Sequence, residues 1–113
     1  MPTAKRILLI EDNPVCAAVF SRFATLRGCF VTWAETAASA YEVLQSEPHD
    51  VVVADYNLTD QHGSEVAAFA ACWALNVCFL TGEQTLVSQT FPVFSKSGLS
   101  DDSHPIWKWL SEC

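Results

Sequence analysis

Val51-Val52-Val53-Ala54-Asp55 is the stretch on which the fold turns. Four apolar residues in succession, three of them β-branched, form a strand with no polar face, the pattern of a central parallel strand covered by helices on both sides. The run stops abruptly at a carboxylate, Asp55. Toward the N-terminus, Lys5-Arg6-Ile7-Leu8-Leu9-Ile10 is a second short apolar run, and it too ends in acid, at Glu11-Asp12. Toward the C-terminus, Val77-Cys78-Phe79-Leu80 stops at Thr81-Gly82, and the run from Phe91 to Ser95 stops at Lys96. With Phe30-Val31-Thr32-Trp33 as a further strand, four of five predicted strands end in a reactive polar residue.

Helix signals fill the gaps. Asn13 is an N-cap with Pro14 at the first helical position, and Val15, Val19, Phe23 and Leu26 recur at helical spacing until Gly28 stops the helix. Thr36 caps a second helix carrying Ala40, Val43 and Leu44 on one face, which Pro48-His49 ends. After a polar loop to Gly63, an alanine-rich helix runs through Val66, Phe69 and Trp73. A last helix follows Ser103, with Pro105 in its first turn and Ile106, Trp109 and Leu110 as its apolar stripe. Trp107 falls off that stripe. This makes it either a surface contact for a partner or a second copy of the chain, or a residue packed over the segment between the last two strands. Alternating strands and helices of these lengths predict an α/β domain built on one parallel sheet with right-handed crossovers.

The chain has 113 residues, the size of one compact domain, and half of them are apolar, enough for a substantial core. Thirteen acidic residues against six basic ones give a formal charge of −7. So few cations supply little of the phosphate attraction that dominates nucleic-acid affinity, so direct nucleic-acid binding is not expected and a cation or a basic partner is favoured. The cysteines, at 16, 29, 72, 78 and 113, are odd in number and contain no CxxC pair or zinc spacing, so they are expected as reduced thiols. No signal-peptide pattern and no membrane-length apolar run is present, which makes the cytoplasm the expected compartment and a membrane an unexpected partner.

In open parallel sheets, ligands lie beyond the carboxyl ends of the strands where strand order reverses. Glu11, Asp12 and Asp55 gathered there would repel by roughly 1 to 4 kcal/mol per pair at about 4 Å. A cation must offset that. A small set of hard oxygen ligands suits Mg²⁺, which keeps several waters and takes one or two carboxylates together with a phosphate oxygen. Lys96 adds a fixed positive charge, and the Thr81 hydroxyl can donate to an anionic oxygen that appears only after chemistry. The set is organised for phosphoryl transfer onto a carboxylate.

These residues, from the first strand to the last helix, resemble the receiver domains of two-component response regulators. Glu11-Asp12 looks like the family's acidic pair, Asp55 like its phosphoacceptor, and Asp55-Tyr56-Asn57-Leu58 up to Gly63 like its D-x-x-[LM] loop and following glycine. Thr81-Gly82 looks like the family's Thr/Ser-small pair, and Lys96 like its lysine after strand five. The resemblance implies a single receiver domain over residues 1–113, with a flavodoxin-like, doubly wound five-stranded sheet of order 2-1-3-4-5 and helices on both faces. It implies transfer from the phosphohistidine of a sensor histidine kinase or histidine phosphotransfer protein onto Asp55, with a downstream protein as listener. Mg²⁺ would be held by Asp12, Asp55 and the Asn57 carbonyl, with Glu11 acting through a metal-bound water. Thr81 and Lys96 would meet the new phosphoryl oxygens, and Asn57 and Glu83 would tune hydrolysis. On this reading the chain is no enzyme beyond its own self-catalysed phosphotransfer and dephosphorylation.

The sequence departs from the family pattern at three positions and in one spacing. Thr59 and Ser97 stand where proline is usual, and Val93 stands where a switching aromatic or histidine is usual. Thr81 and Lys96 are only 15 positions apart, so the fourth helix is shortened or missing. Two other readings remain: an interaction module of the same fold acting largely without phosphorylation, and an aspartyl-phosphate hydrolase of the haloacid dehalogenase type. The carboxylate set weighs against the first. Asn57, in place of a second acid, weighs against the second.

Overall fold

The computed structural model describes residues 5–56, 58, 63–73, 76–82 and 90–113. Its elements in chain order are β1 (Arg6–Ile10), α1 (Pro14–Leu26), β2 (Phe30–Ala34), α2 (Ala37–Ser46), β3 (Val51–Asp55), α3 (Gly63–Ala71), β4 (Asn76–Thr81), β5 (Val93–Ser95) and α4 (Pro105–Glu112). The five strands form one sheet of order β2-β1-β3-β4-β5. Every pair is parallel, with Ile10 opposite Ala54 across β1 and β3, Asp55 opposite Leu80 across β3 and β4, and Thr81 opposite Ser95 across β4 and β5.

The unbroken apolar runs are explained by two cores, one on each face of the sheet. Ile7, Leu9, Val51, Val53, Cys78 and Leu80 point to the side covered by Phe20 of α1 and by Ile106, Trp107 and Leu110 of α4. Their alternate neighbours Leu8, Ile10, Val52, Ala54, Val77 and Phe79 point to the side covered by Ala37, Ala40 and Leu44 of α2 and Val66, Ala67 and Ala70 of α3. With period-two alternation, a strand buried on both faces must be apolar at every position. The small residues in α2 and α3 let those helices approach the sheet closely.

The helix starts follow the sequence. Asn13 accepts from the N–H groups of Val15 and Cys16, and Thr36 accepts from that of Ser39. Gly28, at φ +82°, takes the left-handed conformation that stops α1. Elsewhere the pattern reading needs correction. In α1 the buried stripe is Ala17, Phe20 and Ala24, while Val15 and Leu26 are both 71% exposed. The branched apolar residues suggested a face rotated from the true one, because alanines that fit against a flat sheet carry little weight in an apolar pattern. Val19 and Phe23 flank the core instead. α3 stops at Ala71, short of Trp73, and β5 begins at Val93, leaving Phe91 to pack edge-on against Phe79 at 5.7 Å. Four helices lie among the described residues. The expected shortening or loss of a fourth crossover helix falls on residues 83–89, outside them. Among the described residues no helix is long and apolar enough to cross a membrane.

Candidate functional site

β1 leads into α1 on one face of the sheet and β3 leads into α3 on the other, so the chain departs in opposite directions and leaves a crevice beyond the carboxyl ends of these neighbours. Glu11 and Asp12 follow β1, Asp55 closes β3, and one carboxylate oxygen from each lies within 4.8 Å of the others. Backbone contacts fix Glu11 before its side chain is considered. Its N–H donates to the Ala34 carbonyl at 3.1 Å, and its carbonyl accepts from the Trp33 indole at 2.7 Å. The Asn13 N–H then donates to Glu11 Oε1 at 3.2 Å, which ties the side chain to the start of α1.

Lys96 arrives from the end of β5. Its N–H donates to the Thr81 carbonyl at 2.9 Å, extending the ladder one residue past the strand. From that anchor the ammonium donates to Glu11 Oε1 at 2.9 Å and to Asp55 Oδ2 at 3.1 Å, bridging the two strands. No described peptide bond is cis. With Ser97 after the lysine, the turn is held by the Ser97 N–H donating to the Ser95 hydroxyl at 3.0 Å.

Among the described residues, three carboxylates crowd together in a partly desolvated cleft, and the Lys96 ammonium reaches two of them. At 4.8 Å and an effective dielectric near 20, each carboxylate pair repels by about 3 kcal/mol. Glu11 is fully buried, and burial raises its pKa; the nearby Asp55 charge adds to this, and Lys96 and the Asn13 N–H oppose it. Burial acts to lower the pKa of Lys96, but its bonds to Glu11 and Asp55 and their charges outweigh it, so the ammonium holds its proton more tightly than in water. Glu11 Oε2 is buried without a hydrogen-bond partner. A buried acceptor left unmet costs about 1 to 3 kcal/mol, more when charged, and a cation bound in the carboxylate cluster would offset that cost. The donors are all hard oxygens, so the set fits a divalent ion of the Mg²⁺ kind. Cys16, at the start of α1, is no competing soft ligand, because burial, with the Glu11 charge, pushes its thiol up to about 11.

The structure thus brings together Glu11, Asp12, Asp55 and Lys96, and it places Thr81, 3% exposed, at the end of β4 one position beyond the partner of Asp55. Asn57, Thr59 and Glu83 lie outside the described residues. For Trp107 the structure decides between the two readings in favour of packing, though over the excursion after β5 rather than the segment between the last two strands. Trp107 is buried rather than on the surface, stacked on Phe20 at 5.4 Å, with its indole donating to the Leu99 carbonyl at 3.1 Å and Arg27 over its ring. The contact for a partner or second copy that the other reading placed on it is therefore not available. Sequence reading missed Trp33 and His104, because each acts through a backbone atom of a residue distant in sequence, and no residue pattern encodes that. A cavity of about 360 Å³, lined by Leu44, Pro48, His49 and Trp73 among others, opens at the opposite end of β3 and has no part in this site.

The comparisons agree with this geometry. The family model described as response regulator receiver domain matches residues 7–93, a span that includes the three carboxylates and Thr81 and stops short of Lys96. The response regulator receiver protein CpdR of Brucella abortus (strain 2308) is 35% identical over 80 residues, covering 69% of this chain and 67% of that protein. The TorCAD operon transcriptional regulatory protein TorR of Escherichia coli O157:H7 is 33% identical over 57 residues, and the match spans only 25% of that longer protein. Among solved structures, response regulator TrrA of Thermotoga maritima in complex with Mg(2+)-BeF superposes with a TM-score of 0.84 at 21% identity, over 96% of this chain and 97% of that one. A CheY-like receiver domain of Methanospirillum hungatei JF-1 gives 0.82 at 20% identity, over 96% and 92%. A profile match over most of the chain, a relative above 30% identity and the sheet order β2-β1-β3-β4-β5 lead to one conclusion: the chain belongs to the response regulator receiver domain family.

Proposed function

We propose that this receiver domain takes a phosphoryl group onto Asp55 from the phosphohistidine of a sensor histidine kinase or histidine phosphotransfer protein, and that the added charge changes which downstream protein it binds. The observation that carries the reading is the cluster of Glu11, Asp12 and Asp55 within 4.8 Å, bridged by Lys96 and containing a buried carboxylate oxygen with no partner. Packing alone has no use for such an arrangement. This disfavours the reading as an interaction module that works without phosphorylation.

Glu11, Asp12 and Asp55, with the Asn57 carbonyl, would hold Mg²⁺, which when bound neutralises charge on the phosphoryl oxygens and draws them toward the acceptor. The chain's own part is positioning. An Asp55 carboxylate oxygen attacks phosphorus in line; the new P–O bond forms as the P–N bond of phosphohistidine breaks, and the imidazole leaves with the bonding electrons and takes up a proton. Lys96, already 3.1 Å from Asp55, stays within reach of the phosphoryl oxygens as charge moves onto them. The Thr81 hydroxyl, at the end of the neighbouring strand, supplies a donor for the same oxygens. The product carries about −1.5 to −2 charges where one carboxylate stood, a change large enough to bias a two-state surface. The phosphoryl group resides on the chain itself until water removes it, so the domain acts as a signalling module and turns over no separate substrate. The Mg(2+)-BeF complex of TrrA is in keeping with this reading.

Incubation with acetyl phosphate and Mg²⁺, followed by intact mass measurement, tests it. The expected result is one phosphoryl adduct that EDTA prevents. Absence of any adduct on the unaltered protein would overturn the proposal.

A further inference from the structure

Between β5 and α4 the chain makes a tight excursion whose contacts converge on one peptide unit, the Ser95–Lys96 bond. Its N–H, from Lys96, donates to the Thr81 carbonyl at 2.9 Å. Its carbonyl, from Ser95, is met by Nε2 of His104 at 2.8 Å. His104 is 8% exposed and is the N-cap of α4, its Nδ1 accepting from the Ile106 N–H at 3.1 Å. An Nδ1 that accepts leaves the proton on Nε2, so a single neutral tautomer satisfies both contacts.

The excursion is built to deliver the ring to that place. Gly98 turns at φ +79°, its carbonyl accepts from the Asp101 N–H at 2.9 Å, and the Asp101 carbonyl accepts from the His104 N–H at 3.0 Å. Leu99 is buried in the core, and its carbonyl receives the Trp107 indole.

We propose that His104 is a positioning residue for Lys96: by clamping the Ser95 carbonyl to the start of α4, it fixes the peptide from which the lysine reaches Glu11 and Asp55. Both faces of that peptide are then held, one by β4 and one by α4. Rotation of the unit would swing the Lys96 Cα–Cβ direction away from the two carboxylates. In its effect on phosphorylation the inference rests on the phosphoacceptor reading; in its effect on the lysine it does not.

Two substitutions divide the roles of the ring. His104→Asn retains a cap, since the Asn13 side chain already accepts from the N–H two residues on at the head of α1, but it is too short to reach Ser95. His104→Gln places an amide donor near the position of Nε2 and gives up the cap. Under the clamp, His104→Gln is phosphorylated by acetyl phosphate and Mg²⁺ at close to the parent rate. His104→Asn is slower by about tenfold at saturating acetyl phosphate, with the half-saturating concentration unchanged, as a displaced lysine predicts. A role confined to capping gives the opposite order, with the rate following thermal stability. That order, or parent rates in both variants, would overturn the proposal. The Lys96 side-chain NMR resonances, assigned against Lys96→Ala, give a readout independent of phosphorylation: they should move in His104→Asn and hold in His104→Gln. If the parent forms no adduct, the phosphoacceptor reading fails and these resonances alone decide the clamp, with unmoved resonances in His104→Asn refuting it.

Discussion

Glu11 is under electrostatic tension: a fully buried carboxylate with one oxygen shared between Lys96 and the Asn13 N–H and the other unmet. Its native pKa is raised above 4.5, chiefly by burial, so over the window just above 4.5 the native state binds more protons than the unfolded chain. Stability of the metal-free protein is therefore expected to fall as pH rises through that window. Urea denaturation in EDTA at graded pH reads the slope, and Glu11→Gln should flatten it. An unchanged slope in the variant would contradict the assignment. Lys96 belongs to the same balance, and removing it takes the ammonium away from two carboxylates in the cleft. Since its side chain is a quarter exposed, Lys96→Met is expected to cost about 2 to 4 kcal/mol without metal, somewhat less than a fully buried pair. Saturating Mg²⁺ should restore part of that loss, about 2.7 kcal/mol at a hundredfold excess over Kd. Denaturation with and without Mg²⁺ measures it.

At the scale of elements, the turn from β1 into α1 both starts a helix and places the acids. Asn13→Ala removes the side-chain cap on Val15 and Cys16 and is expected to lower stability by about 1 kcal/mol. It leaves the backbone bond to Glu11 Oε1 in place, so Mg²⁺ affinity measured by intrinsic fluorescence should stay close to the parent's. α4 makes the opposite demand. Trp107 fills the core between Phe20 and Leu99 beneath Arg27, so Trp107→Ala is expected to cost about 3 kcal/mol or more, measured by urea denaturation. A loss under about 1 kcal/mol would instead mark it as a surface residue. The pattern of α4 misled for a physical reason. Ile106, Trp109 and Leu110 trace a stripe wide enough for a sheet, but the excursion from Lys96 to His104 covers the neighbouring face as well and buries Trp107 against Leu99.

In the molecule as a whole, the architecture was legible because doubly covered strands have to be apolar throughout, and Ile7 to Ile10, Val51 to Ala54 and Val77 to Leu80 obey that rule without exception. The carboxylates were legible for a related reason. A strand that ends in acid at the reversal of sheet order delivers that acid to the crevice, so the sequence alone gathers Glu11, Asp12 and Asp55. What stayed hidden depends on contacts between distant backbone and side-chain atoms: the indole of Trp33 on the Glu11 carbonyl, His104 on that of Ser95, and the rotation of α1 that exposes Val15 and buries Ala17. The central claim concerns one atom, the Asp55 carboxylate oxygen that is to carry phosphorus. Its most direct test is to treat the protein with acetyl phosphate and Mg²⁺, reduce the acyl phosphate with borohydride, and locate the modified residue by peptide mass spectrometry. The prediction is homoserine at position 55, absent from Asp55→Asn and from protein kept in EDTA. Reduction at another residue, or an adduct that persists in Asp55→Asn, would contradict it.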